Sequence, residues 1–351
     1  MLELKHISKT FFPGTVNAKT ALDDLSLTLH DGDFVTVIGG NGAGKSTMLN
    51  AVAGTFTVDS GSILLDGEDI TRKPEHRRAA DLGRVFQDPM MGTAGDMWIE
   101  ENLALAARRG SRRTFKWGIS HAEREQYRAL LAPLGLGLED RLTTKVGLLS
   151  GGQRQALTLL MASLKKPKLL LLDEHTAALD PKTAAKVLEL SDRIVAENGL
   201  TTMMVTHNMK DAIAHGNRLI MMNGGRVVLD IAGEEKKRLT VEDLLYGLLL
   251  ESGNDAAMAL AGLEPEGCGG FVEKMNEKAR ALGLENTHFC NPSGLSDPEH
   301  YTTALELAQI TAAAMADPRF AAIVGTRSTQ RAGRTLHNHN RLLELPGFCG
   351  V

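Results

Sequence analysis

The sequence predicts an α/β fold with a mostly parallel sheet, followed by a mainly helical and incomplete C-terminal part. Apolar runs of strand length alternate with segments of helical spacing up to about residue 240 of the 351-residue chain. Buried runs separated by helices are typical of parallel sheets that are covered on both faces. Beyond that point the strand pattern fades, and fourteen acidic residues stand against eight basic ones. We therefore predict two domains, residues 1–240 and 241–351.

The elements of the first domain follow one another in a regular order. The predicted strands are residues 2–7, 25–30, 34–40, 62–67, 83–87, 168–174 and 201–207. The predicted helices begin near Lys45 and cover 98–109, 121–134 and 181–197. The segment RLIMMNGGRVVLD predicts a hairpin over Asn-Gly-Gly, because these residues supply the positive φ angles of tight hairpin turns. In the second domain, helical spacing occurs in VEDLLYGLLLES, AAMALAGL, GFVEKMNEKARALGL and TALELAQITAAAM.

Composition excludes several classes of protein. The net charge of −4 is too small to indicate nucleic acid or anionic lipid as a partner. The first residues lack the pattern of a signal peptide, and no apolar run is long enough to span a membrane. The three cysteines, Cys268, Cys290 and Cys349, lack metal-ligand spacing, so we predict three unpaired thiols.

A glycine-rich string, GGNGAGKST, lies between a predicted strand and a predicted helix. It fits the pattern G-x-x-x-x-G-K-[ST], in which glycines let backbone N–H groups surround phosphate oxygens. In this pattern Lys45 neutralises the β- and γ-phosphates of ATP, and the Ser46 hydroxyl coordinates Mg²⁺. The alternative is a chance glycine-rich turn, which the flanking strand and helix argue against. The predicted nucleotide-binding residues of this string are Gly39, Asn41, Gly42, Gly44, Lys45, Ser46 and Thr47.

A second string, LLLLDE, is an apolar strand that ends in two acids. Asp173 is predicted to hold Mg²⁺ through water, and Glu174 to orient and deprotonate the attacking water. By itself the string could be any strand that ends at a helix cap. Together with the glycine-rich string it predicts nucleotide hydrolysis.

The string LSGGQRQ adds a second helix start with glycines in its first turn. Ser150 is predicted to cap this helix, whose N-terminus is a further anion site. Two anion sites that face different directions cannot hold the same phosphate within one chain. We therefore predict a head-to-tail pair of chains, each closing the nucleotide site of the other.

Residues 1 to about 240 resemble the ATP-binding subunit of an ABC transporter, with the motifs in family order. The resemblance implies a P-loop NTPase core, an antiparallel β subdomain and a helical subdomain over about 88–165. It also implies that Gln87 senses Mg²⁺ and the permease, and that His207 contacts the γ-phosphate. Lys45 and Glu174 complete the predicted catalytic set. The residues that match the signature and the D-loop are Ser150, Gly151, Gly152, Gln153 and Asp180.

Two positions leave alternatives open, and a third departs from the family pattern. Phe11 is predicted to stack on adenine, but it could be a hydrophobic staple or a core residue, and Phe12 is the second candidate. His207 could simply end a strand. His175 stands where the family commonly has a proline, and we expect little effect from this difference.

The same resemblance implies partners. We expect a separate membrane permease that docks on residues 88–148, where methionines and Trp98 suit an apolar contact, although they could equally fill the subdomain core. The loop and the short chain are similar to those of importers of amino acids or related small solutes, which work with a solute-binding protein. The chain would then lie in the cytoplasm, peripheral to the inner face of the membrane. The alternative is a soluble ABC ATPase of translation or repair, which usually has a second cassette or a long coiled coil.

The stretch LLYGLLLESGNDAAMALA resembles the second active-site motif of D-alanyl-D-alanine carboxypeptidases, and the likeness continues to the end of the chain. Ser252, Gly253 and Asn254 match the S-x-N motif. That family acylates a serine in S-x-x-K and uses a K-T-G strand. The only S-x-x-K here is 163–166, in the helix before the Asp173 strand, and the chain stops where K-T-G is expected. We therefore predict an inactive Ser252 and a loosely folded tail with exposed apolar faces.

Two hypotheses account for the tail. In the first, the chain is a chimera joined at LTVEDLL, which suits both families, through recombination or an assembly artefact. In the second, it is a bifunctional fusion in which the tail is a regulatory or docking module.

Overall fold

A computed structural model of the chain describes residues 1–39, 42–111, 118–238, 240–261, 267–331, 334–340 and 343. The chain divides into two compact units. The first unit consists of residues 1–37, 41–206 and 214–230, and the second of residues 38–40, 207–213 and 231–351.

The strands and helices match most of the sequence predictions, with boundaries shifted by a few residues. The strands are β1 (Leu2–Phe11), β2 (Lys19–Leu29), β3 (Phe34–Ile38), β4 (Ser60–Leu65), β5 (Glu68–Asp69), β6 (Leu82–Val85), β7 (Leu169–Asp173), β8 (Thr202–Val205), β9 (Arg218–Asn223), β10 (Arg226–Ala232), β11 (Ser328–Arg331) and β12 (Arg334–His337). The helices are α1 (Lys45–Ala53), α2 (Glu75–Arg78), α3 (Ile99–Ala107), α4 (His121–Leu131), α5 (Gly151–Ser163), α6 (Pro181–Asn198), α7 (Met209–Ala214), α8 (Gly233–Arg238), α9 (Val241–Glu251), α10 (Asn254–Ala261), α11 (Gly267–Ala281), α12 (Ala304–Met315) and α13 (Pro318–Val324).

The main sheet has six strands in the order β10-β9-β3-β8-β7-β6. Its central pairings, β3 with β8, β8 with β7 and β7 with β6, are parallel. Successive side chains of a strand point to opposite faces, and β7 uses both. Leu169 and Leu171 pack in one buried cluster with Met48 of α1, and Leu170 and Leu172 pack in another with helices α5 and α6. The predicted mostly parallel sheet is thus confirmed.

A second sheet is antiparallel, in the order β2-β1-β4-β5. Leu4 of β1 lies opposite Leu27 of β2 on one side and Ile63 of β4 on the other. The alternation of apolar and polar residues that predicted half-buried strands places Leu2 and Leu4 in the core. This sheet is the antiparallel β subdomain that the sequence predicted.

Between β6 and β7 in the sequence lies the helical subdomain, with α3, α4 and the start of α5. Its core includes Ile99, Leu103, Tyr127, Leu131 and Leu157. A capping box begins α4: the Ser120 hydroxyl accepts from the Glu123 N–H, and the Glu123 carboxylate accepts from the Ser120 N–H. These local signals explain why the helices begin where the sequence predicts.

The C-terminus of α1 is closed by a side chain from α2. Buried Arg78 donates to the carbonyls of Ala51 and Val52 at 2.7 and 2.8 Å, and to those of Thr71 and Lys73. Carbonyls at the end of a helix lack partners within the helix, so this guanidinium satisfies groups that burial would otherwise leave unpaired.

The second unit contains the predicted helices and a small hairpin, β11–β12, that the sequence analysis did not predict. Arg331 of β11 lies 3.2 Å from Glu242 and 3.4 Å from Asp243 of α9, and its guanidinium lies over the Tyr246 ring at 4.3 Å. Helix α9 therefore packs with the C-terminal residues of its own unit. The strands STQR and RTLH lack the apolar alternation that would have indicated them.

Helix α12 is tied to the turn before it by one carboxylate. Glu306 accepts from the backbone N–H groups of Glu285 and Asn286 at 3.1 and 3.0 Å, and from the Thr287 hydroxyl. These bonds hold the Glu306 pKa below its usual value, with the Thr287 bond as the largest cause. Residues 285–306 thus have defined internal contacts.

The tail nevertheless exposes apolar surface, as predicted. Leu295, Leu305 and Leu307 are exposed. A groove of about 320 Å³ is lined mainly by apolar side chains of α11 and α12 and the segment between them, including Phe271, Met275, Leu282, Phe289 and Ile310. Among the described residues, no helix is both long and apolar enough to cross a membrane.

Candidate nucleotide site

The glycine-rich turn leads directly into α1. Gly44 caps the helix with a φ of 98°, and Gly42 has a φ of 81°. A Cβ at Gly44 would lie 2.4 Å from the Ala21 carbonyl oxygen, so only glycine fits there. No side chain caps α1, and the N-terminus of such a helix suits an anion. The turn therefore fits a phosphate group, although the predicted contact of Asn41 lies outside the described residues.

Lys45 begins α1 and is buried, with 7% of its surface exposed. Burial lowers its pKa, and the charges of Glu174 and Asp173 oppose this decrease. The fold thus brings the predicted phosphate-binding lysine close to Glu174, the predicted general base, and to Asp173, the predicted Mg²⁺ ligand. Ser46, the predicted Mg²⁺ ligand, is exposed, and Thr47 is half-buried.

Asp173 ends β7 beside an arginine that the sequence analysis missed. Burial raises the pKa of Asp173, and the positive charge of Arg84 is the largest opposing influence. One guanidinium nitrogen of Arg84 lies 2.6 Å from the Asn50 amide oxygen of α1 and 3.3 Å from an Asp173 carboxylate oxygen. The guanidinium also lies 4.4 Å above the Phe86 ring. In the sequence, the only sign of this contact with Asp173 was a single arginine inside the short strand before Gln87.

Glu174 lies at the turn that follows β7, with a φ of 43°. Non-glycine residues rarely adopt such angles, and they do so mainly where the surrounding structure holds them. Here the Glu174 N–H donates to the Val205 carbonyl at 3.0 Å, and its own carbonyl accepts from Ala177 at 3.0 Å. The backbone of the predicted general base is therefore fixed from both sides.

The donor set suits Mg²⁺ better than a transition metal. The predicted ligands Asp173, Ser46 and Gln87 offer only oxygen atoms, which Mg²⁺ prefers, and Mg²⁺ usually completes its shell with water and phosphate. Among the described residues, no group of three or more histidine, cysteine or acidic side chains could hold a metal alone. A bound Mg²⁺ would neutralise charge that develops on the phosphates.

The signature string forms the predicted helix cap. The Ser150 hydroxyl accepts from the Gln153 N–H at 3.3 Å, and the Gln153 amide oxygen accepts from the Ser150 N–H at 3.2 Å. Gly151 and Gly152 form the first turn of α5. A Cβ at Gly152 would lie 2.2 Å from the Thr183 methyl group of α6, so these two helix starts touch.

Asp180 caps α6 in the same way. Its carboxylate accepts from the Thr183 N–H at 3.1 Å, and this contact with Thr183 lowers its pKa. Ser150 and Asp180 thus begin two adjacent helices and form a second group of predicted residues.

The remaining predicted residues follow the strands. Gln87 is exposed two residues beyond β6, and His207 is exposed two residues beyond β8. The Phe11 ring packs edge to face on Phe56, with centroids 5.4 Å apart. Phe12 is 67% exposed at a φ of 51°. Phe11 is thus half-buried, whereas Phe12 is exposed. Which of the two stacks on adenine stays a prediction.

His175 follows the general base and is buried, with 2% of its surface exposed. Its Nε2 lies 3.0 Å from the Ser191 hydroxyl of α6. Burial lowers the pKa of His175 to about 4, and repulsion from His215 adds to the decrease. The histidine is therefore neutral at physiological pH.

The helical subdomain presents apolar side chains on its surface. Met90, Met91, Trp98 and Leu105 are all exposed, Leu105 by 51%. Trp98 and Leu105 line a groove of about 300 Å³ together with Ala104 and Ile119. The charged residues Glu100, Glu101, Arg108 and Arg124 also line it. We call this the helical-subdomain groove. The alternative that Trp98 only fills the subdomain core does not fit its exposure.

The S-x-N residues lie where α9 ends and α10 begins. Ser252 caps α9, is exposed and has a φ of 54°, and Asn254 begins α10. In the only S-x-x-K string, the hydroxyl of buried Ser163 donates to the carbonyls of Leu159 and Leu160. Ser163 is therefore a helix residue with no access to a substrate.

The parallel sheet, the glycine-rich turn before α1 and the buried lysine facing two carboxylates define a P-loop ATPase. A family model described as ABC transporter matches residues 22–177, and one described as D-alanyl-D-alanine carboxypeptidase matches residues 194–347. The chain is 48% identical over 245 residues to a tyrosine transport ATP-binding protein of Clostridioides difficile, which covers 70% of this chain and 97% of that protein. The chain belongs to the family of ABC transporter ATP-binding proteins, and it is an ATPase.

Other similar proteins agree with this assignment. A spermidine/putrescine import ATP-binding protein of Haemophilus ducreyi is 33% identical over 297 residues, 80% of this chain and 75% of that protein. A solved dimeric post-hydrolysis cassette bound to ADP and Pi has a TM-score of 0.57 at 29% identity, covering 66% of this chain and 98% of that one. The solved structure of cbiO1 from Clostridium perfringens has a TM-score of 0.58 at 25% identity. The match covers 71% of this chain and 94% of that one.

The carboxypeptidase match confirms the second resemblance, and it begins earlier than the predicted boundary. It starts at residue 194, in α6, and extends over β8, β9 and β10. These three strands belong to the six-stranded sheet of the ATPase. The bounds of the two family matches therefore do not show at which residue the ATPase part ends and the carboxypeptidase-like part begins.

Proposed function

We propose that residues 1–240 are the motor of an importer of amino acids or related small solutes, acting as a head-to-tail dimer on a separate permease. The observation that carries this proposal is the pair of helix starts on one chain, the uncapped glycine turn of α1 and the Ser150 turn of α5. Each suits an anion. A second copy of the chain would let both act on one triphosphate. The solved cassette described as dimeric with ADP and Pi supports the dimer in this proposal.

In this proposal the side chains divide the chemistry of hydrolysis among them. Glu174 orients the attacking water and accepts its proton as the bond between the γ-phosphorus and the bridging oxygen breaks. Lys45 and the backbone N–H groups of the glycine turn stabilise the charge on the phosphate oxygens, and His207 adds a contact to the γ-phosphate. Asp173, Ser46 and Gln87 would hold the Mg²⁺. Phe11 would stack on adenine, with Phe12 as the alternative.

The solute class rests on the relatives. The C. difficile relative is named for tyrosine transport, and its match extends over nearly its whole length. Another relative is named for spermidine and putrescine, so the family carries different solutes. We infer an amino acid, with tyrosine as the first candidate. The permease would dock at the helical-subdomain groove, a solute-binding protein would deliver the cargo, and the chain would lie on the cytoplasmic face of the membrane.

A transport assay with a docking variant tests this function. The full chain is combined in vesicles with the permease that co-purifies from its source membrane, together with the solute-binding protein. Tyrosine is expected to stimulate ATP hydrolysis several-fold and spermidine is not. Leu105→Asp should abolish co-purification and stimulation, because it replaces one of the exposed apolar side chains proposed to contact the permease with a carboxylate. Val16→Asp is the control, because Val16 is a fully exposed aliphatic residue that lies outside the groove.

Three results would contradict parts of the proposal. If spermidine stimulates ATP hydrolysis and tyrosine does not, the proposed solute class, an amino acid, is wrong. A full loss of co-purification with Val16→Asp would remove the groove as the docking site. The absence of any permease, with ATP hydrolysis intact, would favour the soluble ABC ATPase.

We propose further that residues 241–351 are a catalytically inactive carboxypeptidase-like fragment. Acylation needs a serine activated by a nearby base. Ser163 uses its hydroxyl within α5, and Ser252 lies in the position of the second motif rather than of the nucleophile.

Labelling with fluorescent penicillin tests the inactive tail. The full chain is expected to show no covalent label on a denaturing gel, while an intact D,D-carboxypeptidase run beside it is labelled. A label on this chain that Ser252→Ala removes would show an acyl-enzyme and reverse the proposal. In that case the bifunctional fusion would become the better account.

A further inference from the structure

The turn between β9 and β10 contacts the phosphate-binding turn, although about 180 residues separate the two turns in the sequence. Gly224 and Gly225 form this hairpin turn, with φ angles of 54° and 79°. The Gly225 N–H donates to the Ala43 carbonyl at 3.0 Å. The Gly225 carbonyl accepts from the Asp23 N–H of β2 at 3.1 Å. One residue therefore connects the glycine-rich turn to the antiparallel sheet.

The backbones of the hairpin turn, the glycine-rich turn and β2 meet with no space for a side chain between them. A Cβ at Gly225 would lie 2.8 Å from the Ala21 carbonyl oxygen and 2.9 Å from the Asp23 nitrogen. A Cβ at Gly44 would lie 3.2 Å from the Gly225 Cα. Next to the turn, the Arg226 guanidinium lies 2.8 Å from the Asp23 carboxylate. Any movement of this turn is therefore passed to residues 43 and 44 by direct contact.

The direction of one peptide plane makes this contact relevant to phosphate binding. In a trans peptide the carbonyl and the following N–H point in opposite directions. Since the Ala43 carbonyl is held against Gly225, the Gly44 N–H must face away from the hairpin. That N–H lies directly before Lys45, in the part of the turn proposed to surround the phosphates.

We propose that the hairpin turn at Gly225 is a positioning element for the nucleotide site, which holds the Ala43–Gly44 peptide in the orientation that phosphate binding requires. Gly225 acts through this peptide and touches no substrate. This inference rests on the proposed nucleotide site at residues 39–47. It assigns a binding role to a residue that lies outside the strings from which the site was predicted.

Two alanine variants of the same turn separate positioning from stability. Gly225→Ala introduces the backbone clashes given above, whereas a Cβ at Gly224 meets nothing within 4 Å. Both positions have positive φ, so both variants are strained and should lower the thermal unfolding temperature. Only Gly225→Ala should weaken ATP binding, by about tenfold or more, because small displacements in a binding site have large effects. Gly224→Ala should stay within about twofold of the wild type, as a surface change with no shared partner.

The measurements are titration with a fluorescent ATP analogue and thermal unfolding, on the full chain, with Lys45→Ala as the reference for a lost site. Equal affinities for Gly225→Ala and Gly224→Ala would overturn the positioning role. If Lys45→Ala also binds like the wild type, the nucleotide site itself is misassigned. If Gly225→Ala does not fold, Asp23→Pro decides, because proline removes the N–H that donates to the Gly225 carbonyl. This variant should also weaken ATP binding several-fold, and wild-type affinity would again overturn the role.

Discussion

Glu174→Gln is expected to bind ATP as tightly as the wild type and to hydrolyse it about two to four orders of magnitude more slowly. The amide has the shape of the carboxylate but cannot accept the proton of the attacking water. The backbone should stay in place, because Glu174 is held at its φ of 43° by bonds to Val205 and Ala177 that do not involve the side chain. Release of phosphate under single-turnover conditions measures the effect.

The same variant tests the proposed dimer. Because ATP persists in the site, the variant should run as a dimer with saturating ATP in size-exclusion chromatography. Glu197→Gln, an exposed glutamate of α6, is the matched control and should hydrolyse ATP normally. Wild-type hydrolysis by Glu174→Gln would require another general base. A monomer with bound ATP would contradict the head-to-tail pair.

Acidification from pH 7 to pH 4 is expected to remove about 3 kcal/mol of unfolding free energy through His175 alone. The unfolded chain takes up this proton as the pH falls through the ordinary histidine value of 6.5, whereas the folded chain resists until about 4. The unfolded state thus binds more protons in this window. Stability therefore falls as the pH falls from 6.5 to 4, and this contribution levels off below 4.

His175→Gln isolates this effect, because the amide stays neutral over the whole range. The variant should show a flatter dependence of stability on pH, whatever its stability at neutral pH. Denaturant unfolding followed by tryptophan fluorescence reports the ATPase part, since Trp98 and Trp117 both lie there. His121→Gln, at the exposed start of α4, should keep the wild-type slope. An unchanged slope for His175→Gln would show that another group controls acid unfolding.

The local geometry of the candidate nucleotide site could be predicted where its signals lie in short strings, although the roles of its residues stay predictions. The turn at 39–47 and the acids at 173 and 174 each combine a fixed spacing with a strand that precedes them, so short strings contain the relevant chemistry. The caps at Ser150 and Asp180 follow from the same kind of local rule, since each side chain bonds within its own first turn. The order of strands and helices followed from apolar periodicity.

The contacts that support this site come from distant parts of the chain and were not predictable. Arg84 reaches Asp173 only because β6 pairs with β7, and Gly225 reaches Ala43 only because the hairpin folds against the antiparallel sheet. In the sequence, both are single residues with ordinary surroundings. The hairpin β11–β12 was missed for another reason: its strands are short and polar, so they have no amphipathic pattern.

The absence of a side chain at Gly152 has a mechanical consequence. Because a Cβ here would lie 2.2 Å from the Thr183 methyl group, the N-terminal ends of α5 and α6 can pack this closely only with glycine at 152. In the proposed dimer, this close packing would present Ser150 and Asp180 to the partner side by side. A larger residue at 152 would force these two helix starts apart and change the spacing of Ser150 and Asp180.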